Sequence, residues 1–279
     1  MKEQLKRNLT PAITITLINF YVLGRVIAKD DWVHGLGYFL FFHAAVFLIY
    51  RFTLPPLPEN PNPVKQPKQE LLVTLTLMVV GLAAIFANFY MRSTGETYIP
   101  LIRLPVIFLM MLCTFPVALA LYLLFKRYKL PQLGLRVKPW KILLLGFLIW
   151  ALTGIFSGIF NYEGWLWKMA YEEMGLTGLI VQGLIGAAVV EEFSRFVLQT
   201  RLNQFIRNPF TCIIIASIVW TAYHIPITYF KTESAFSTFN YCMQIIPLGF
   251  IWGYLTYKTK SFLPAVIAHG LNLWGFQNG

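Results

Sequence analysis

The chain has 279 residues, 57% of them hydrophobic and 13% charged, with a mean hydropathy of +0.60. Soluble domains carry roughly 45–50% apolar and about 25% charged residues, so this composition excludes a soluble core with an added anchor. The formal net charge is +11 and the pI about 9.6; with this much apolar sequence, the excess Lys and Arg belong to loops that set topology and meet anionic headgroups, not to a nucleic-acid site.

Apolar runs of about twenty residues, the length that crosses roughly 30 Å of hydrocarbon, recur from end to end. The predicted fold is an all-α polytopic membrane bundle of eight to nine transmembrane helices. The basic start, Lys2 to Arg7, precedes the first apolar run with no small-x-small cleavage site after it, and reads as an uncleaved helix. The predicted spans are 9–27, 33–52, 71–91, 102–125, 141–160, 176–199, 209–229, 240–257 and 261–277. Six prolines over 55–67 predict a stiff linker. Lys126, Arg127, Lys129, Arg136, Lys138 and Lys141 make 126–141 the most basic loop. Most of the 23 Lys and Arg fall in segments that share a side with the N-terminus, which predicts a cytoplasmic N-terminus. Tyr162, Trp165, Trp167 and Tyr171 mark 161–175 as an aromatic interfacial stretch on the other side, with Glu172-Glu173 read as solvated. The organisation is then 1–130, N-terminal helices of unassigned role; 131–175, basic loop, one helix and interfacial segment; and 176–279, the chemistry-bearing helices.

An ionisable side chain deep in a bilayer costs about 2.5–3.5 kcal/mol on insertion scales, so each needs a reason. Glu191 and Glu192 end an apolar run, with Arg195 one helical turn on and able to pair with either. Gly183 and Ala187 stack over Glu191 and would let a neighbouring helix approach. Trp220 and His224 share a face at i, i+4, as do His269 and Asn272 at i, i+3. Each motif alone reads as an ion pair or an interhelical hydrogen bond. Taken together they supply a general base, Glu191, a water held between it and His224, and two oxyanion donors, His269 and Asn272. On the predicted spans, however, Glu191 falls near the inner side and His224 in the outer half, too far apart to share a water. His34 and His43 have no acidic company and receive no role. Cys113, Cys212 and Cys242 are scattered and suggest neither a disulfide framework nor a zinc site.

The set Glu-Glu-x-x-Arg, aromatic-x-x-x-His and His-x-x-Asn resembles the CAAX prenyl protease and bacteriocin-processing family, the Abi or CPBP family of intramembrane glutamic endopeptidases. Gly253, Tyr254, Tyr257, Thr259, Ser261, Pro264 and His269 follow that family's cadence, and the resemblance covers about 176–276. It implies metal-independent, cofactor-free hydrolysis of a peptide bond in a membrane-anchored peptide or prenylated CAAX protein. Glu191, His224, His269 and Asn272 would be catalytic, and Glu192, Arg195 and Trp220 supporting. Arg195 and Asn272 each come one residue early. Aligned on Arg195, Glu191 takes the family's second Glu position and Val190 replaces the first. That alignment describes the alternative, a catalytically inactive relative serving as membrane scaffold or bacteriocin-immunity protein. A metallopeptidase using Glu191, Glu192, His224 and His269 would lack the His-Glu-x-x-His motif, and a transporter would lack the internal repeats usual there.

Overall fold

The computed structural model describes residues 2–27, 32–53, 63–93, 113–160 and 188–271, with the isolated positions 175, 176, 180, 184 and 185. Residues 102–112 of the predicted fourth span, the prolines up to 61, most of the interfacial stretch with Glu172-Glu173, Gly183, Ala187 and Asn272 lie outside the described residues.

The described residues are helical, with no strand among them. The first three helices are α1 (Lys2–Ile27), α2 (Trp32–Phe52) and α3 (Pro67–Ser93). A π-turn at Cys113–Val117 leads into α4 (Ala118–Phe125), and a 3-10 turn at Leu130–Leu133 precedes α5 (Lys141–Phe160). Then come α6 (Val190–Ile206), α7 (Pro209–Ala222), α8 (His224–Thr232), α9 (Ala235–Thr259) and α10 (Leu263–Leu271). Gly35–Phe52 and Pro67–Met91 are each long and apolar enough to cross a bilayer, and α7 and α8 qualify together across a 42° bend. With its apolar composition, the chain is an integral membrane protein.

Helix ends explain where the predicted spans shift. Asn208 caps α7, its side-chain oxygen accepting from Thr211 N at 3.1 Å, and Pro209 occupies the first helical position, where its missing N–H is no loss. The predicted single helix 209–229 is corrected to two, α7 and α8, broken at Tyr223. Ser234 caps α9 through Ser237 N, so that helix starts at Ala235, five residues before the predicted 240.

Lipid offers no hydrophobic drive to bring helices together, so close packing must hold them. Gly249 and Gly253 supply it on α9. A Cβ at 249 would sit 2.9 Å from Trp220 Cε3, and one at 253 would sit 2.8 Å from Ile213 Cγ2. These absent side chains let α9 lie against α7. Across the same seam, Arg195 Nη1 donates to Gly249 O at 2.8 Å and Gln199 Nε2 to Gly253 O at 3.2 Å, so α6 and α9 are tied at matching i, i+4 steps. Gly146 plays the same part between α5 and α10, where a Cβ would meet Pro264 O at 2.6 Å.

A second tie joins the N-terminal helices to α6. Glu70, fully buried in the first turn of α3, receives Arg201 Nε at 3.0 Å and the Tyr128 hydroxyl at 2.7 Å. Burial, together with that hydrogen bond to a carboxylate, pushes the Tyr128 phenol up to about 12. Both Arg201 and Arg195 are buried and held in ion pairs, with Glu70 and Glu192 respectively. The basic loop after α4 is fastened to the α9–α10 turn: Ser261 Oγ donates to Gly134 O and to Arg136 O, both at 2.9 Å. Gly134, at φ +82°, takes a conformation that suits glycine, and a Cβ there would meet Phe262 at 2.9 Å.

Candidate active site

The site is assembled where the first turn of α6 lies beside the last turn of α7. Because α6 begins at Val190 and α7 ends at Ala222, the two helices form an antiparallel hairpin about the 207–208 turn. This places Glu191 against Trp220, whose indole Nε1 donates to Glu191 Oε2. The separation in depth expected from the predicted spans is therefore corrected.

The two glutamates differ in surroundings. The Glu192 side chain is 1% exposed, and its Oε1 is taken by Arg195 Nη2 and by His269 Nδ1 at 2.7 Å. Glu191 is 26% exposed, and its Oε2 lies 3.6 Å from His269 Nε2. That distance is longer than a hydrogen bond, so the two are electrostatic neighbours and not bonded. A carboxylate can only accept, so Nδ1 of His269 carries the proton it gives Glu192, and Nε2 is left facing Glu191. Of the pair, Glu191 alone is open enough to take a proton from a water or substrate.

Aromatic rings fix the remaining orientations. His269, 1% exposed, stacks on Trp252 at 6.0 Å and 10°, and meets the Trp220 ring edge-on at 5.7 Å. The Arg195 guanidinium lies 4.5 Å over the Trp220 ring. His224 opens α8, immediately after the bend. Its ring is 4.8 Å from that of Trp220, and its Nδ1 is 3.4 Å from Trp220 O. A carbonyl can only accept, so in the neutral tautomer that makes this long contact the proton is on Nδ1 and Nε2 is a lone pair. Glu191 and His224 line one cavity of about 300 Å³, together with Ser194, Arg195 and Trp220. Its other walls are apolar: Met78, Gly81, Ile85 and Phe89 of α3, with Phe115, Val190, Tyr223 and Ile227.

Of the residues singled out in the sequence, Glu191, Glu192, Arg195, Trp220 and His269 are thus in direct contact, and His224 is joined to them through Trp220. Of the two carboxylates that could pair with Arg195, Glu192 does so. His43 lies exposed on α2, hydrogen-bonded to Phe39 O. Sequence reasoning missed Trp252, Gly249 as a backbone acceptor, and the α3 wall. The small-x-x-x-small spacing of Gly249 and Gly253 was a legible signal for the second of these. Among the described residues, no three His, Cys, Asp or Glu side chains gather as a metal-binding group.

One buried and one part-exposed carboxylate, two histidines and a largely apolar cavity thus come together between helices. Residues 173–274 match the family model described as Rce1-like, type II CAAX prenyl endopeptidase, over the same helices that carry the motifs. The resemblance read from those motifs holds across this span, and it is to a family of proteases. No curated protein and no solved structure shows significant similarity to the chain.

Proposed function

We propose that the protein is an intramembrane glutamic endopeptidase that cleaves a prenylated CAAX or similar membrane-anchored peptide without a metal. The observation that carries the reading is the contrast between the two glutamates. Glu192 is buried, with its Oε1 shared by Arg195 and His269, whereas Glu191 is part-exposed and opens onto a largely apolar cavity shared with His224. Glu191 takes a proton from the attacking water, whose oxygen bonds to the scissile carbonyl carbon. The carbonyl oxygen becomes the oxyanion, which accepts hydrogen bonds from Asn272 and from His269 Nε2, the roles the family resemblance assigns; His269 acts there as the imidazolium, since Nδ1 already donates to Glu192. The proton passes to the leaving amine as the C–N bond breaks. His224 orients the water with its Nε2 lone pair. Glu192, Arg195 and Trp220 act as positioning residues.

The catalytic part is 176–279, and the topology that fits best has nine crossings with the N-terminus in the cytosol. Residues 1–130 and 131–175 then form the surrounding helices and loop.

The test is to purify the protein in detergent and offer a quenched fluorescent peptide ending in a farnesylated CAAX sequence. Mass spectrometry should find release of the last three residues, unchanged by a chelator. The one-residue shifts of Arg195 and Asn272 favour a second reading, an inactive relative serving as scaffold or bacteriocin-immunity protein. Absence of cleavage across farnesylated and geranylgeranylated peptides would support that reading, and loss of cleavage on chelation would point to a metallopeptidase.

A further inference from the structure

The cavity beside Glu191 is closed on one side by α3, a helix outside the family-matched span. The polar groups of the cavity come from α6 and from the α7–α8 bend, while α3 presents only apolar side chains and a glycine. That glycine, Gly81, is buried under a fixed pair of rings. Tyr223 donates its hydroxyl to Met78 O at 2.7 Å, which pins its ring to α3 one turn from Gly81. Phe115 stacks on Tyr223 at 5.9 Å and 21°. A Cβ at 81 would sit 3.3 Å from Phe115 Cβ and 3.6 Å from Tyr223 Cε1. A methyl would therefore already be tight, and any longer side chain would have to displace the rings or enter the cavity they line.

We propose that Gly81 sets the depth of this cavity for a hydrocarbon chain, and so selects the length of the lipid chain its substrate carries. The identity of that substrate rests on the peptidase reading of the same site. A hydrocarbon chain could come from the substrate's isoprenoid or from a bilayer lipid, and the proposal is for the isoprenoid. An aqueous, polar ligand has nothing to meet on the α3 side, whereas an apolar chain fits a wall of Met78, Gly81, Ile85 and Phe89. Bound there, it would hold the attached peptide next to Glu191 and His224.

Two arms test this on the full chain in nanodiscs. In the first, kcat/KM is measured on peptides bearing geranyl, farnesyl or geranylgeranyl groups. Gly81→Leu should lower the geranylgeranyl-to-geranyl ratio by about tenfold or more, the scale on which apolar pockets discriminate chain size. Ile85→Phe, which adds bulk one turn further along the same wall, should act in the same direction if Gly81→Leu folds poorly. An unchanged ratio, or equal loss at every chain length, would overturn the inference.

The second arm reads binding without turnover. A farnesyl-cysteine methyl ester carrying a diazirine is photolysed with Glu191→Gln, and the labelled residues are mapped. Label should fall on 78–89, weaken when Gly81→Leu is added, and be displaced by a farnesylated peptide. Displacement by phosphatidylcholine to the same extent, or label confined to other helices, would overturn it. Labelling as expected with no cleavage by the native protein would sink the peptidase reading while upholding the pocket.

Discussion

His269 Nδ1 lies 2.7 Å from Glu192 Oε1, the same oxygen that receives Arg195. One carboxylate oxygen thus neutralises a buried guanidinium and fixes which nitrogen of His269 carries the proton. Arg195 in turn reaches Gly249 O and covers Trp220, the residue that donates to Glu191. The site is therefore a chain of contacts running from α10 through α6 to α7, and disturbing one member reorients the next.

Removing Arg195 should damage folding as well as activity. Arg195→Ala leaves Glu192 buried without its cation, and breaking one side of a buried ion pair costs about 3–5 kcal/mol. Thermal unfolding in detergent should show a lowered Tm and a reduced yield. Native yield and Tm would mean that Arg195 is solvated and not held in this pair.

The Glu70–Arg201 pair should behave in the same way, though it is remote from the cavity. Glu70→Ala should destabilise by about 3–5 kcal/mol because Arg201 stays buried without its partner. The double variant Glu70→Leu with Arg201→Met should recover most of that loss, since a packed apolar pair of similar volume is often neutral. A double-mutant cycle with no coupling would contradict the tie between α3 and α6.

Much of this was legible in the sequence, and the exceptions have definite causes. Hydropathy located the apolar helices, including the start of α7 at 209. The bend at Tyr223 does carry a local mark, Pro226, which has no N–H for Ala222 O and crowds that carbonyl, and the hydropathy of the run hid it. The Glu70–Arg201 pair joins residues far apart in sequence, which no helical periodicity reports. The pairing of Arg195 with one of the two glutamates was legible from its position one turn on, whereas nothing near Arg201 in sequence points to its partner Glu70. The motifs did name the side chains that meet at the site, but the shared environment of Glu191 and His224 depended on where α6 begins and α7 ends.

Gly253 should tolerate no side chain. Gly253→Val would drive a methyl into Ile213 Cγ2 and crowd Gln199, separating α9 from α7. Overpacking of this kind costs about 1–3 kcal/mol, measurable as a lower Tm. Peptidase activity should fall too, since α9 also carries the carbonyl that anchors Arg195. A Tm equal to native would show that the helices are less closely packed than described.

The most direct measurement compares Glu191→Gln with Glu192→Gln on a farnesylated CAAX peptide, with Tm recorded for each. Glu191→Gln keeps an oxygen for Trp220 but cannot take a proton, so it should fold like the native protein and lose about 10²–10⁴-fold in kcat, the range of general-base catalysis. Glu192→Gln should lower the Tm, because it weakens the shared bond to Arg195 and His269. Full cleavage by Glu191→Gln, at native Tm, would contradict the assignment of Glu191 as the base.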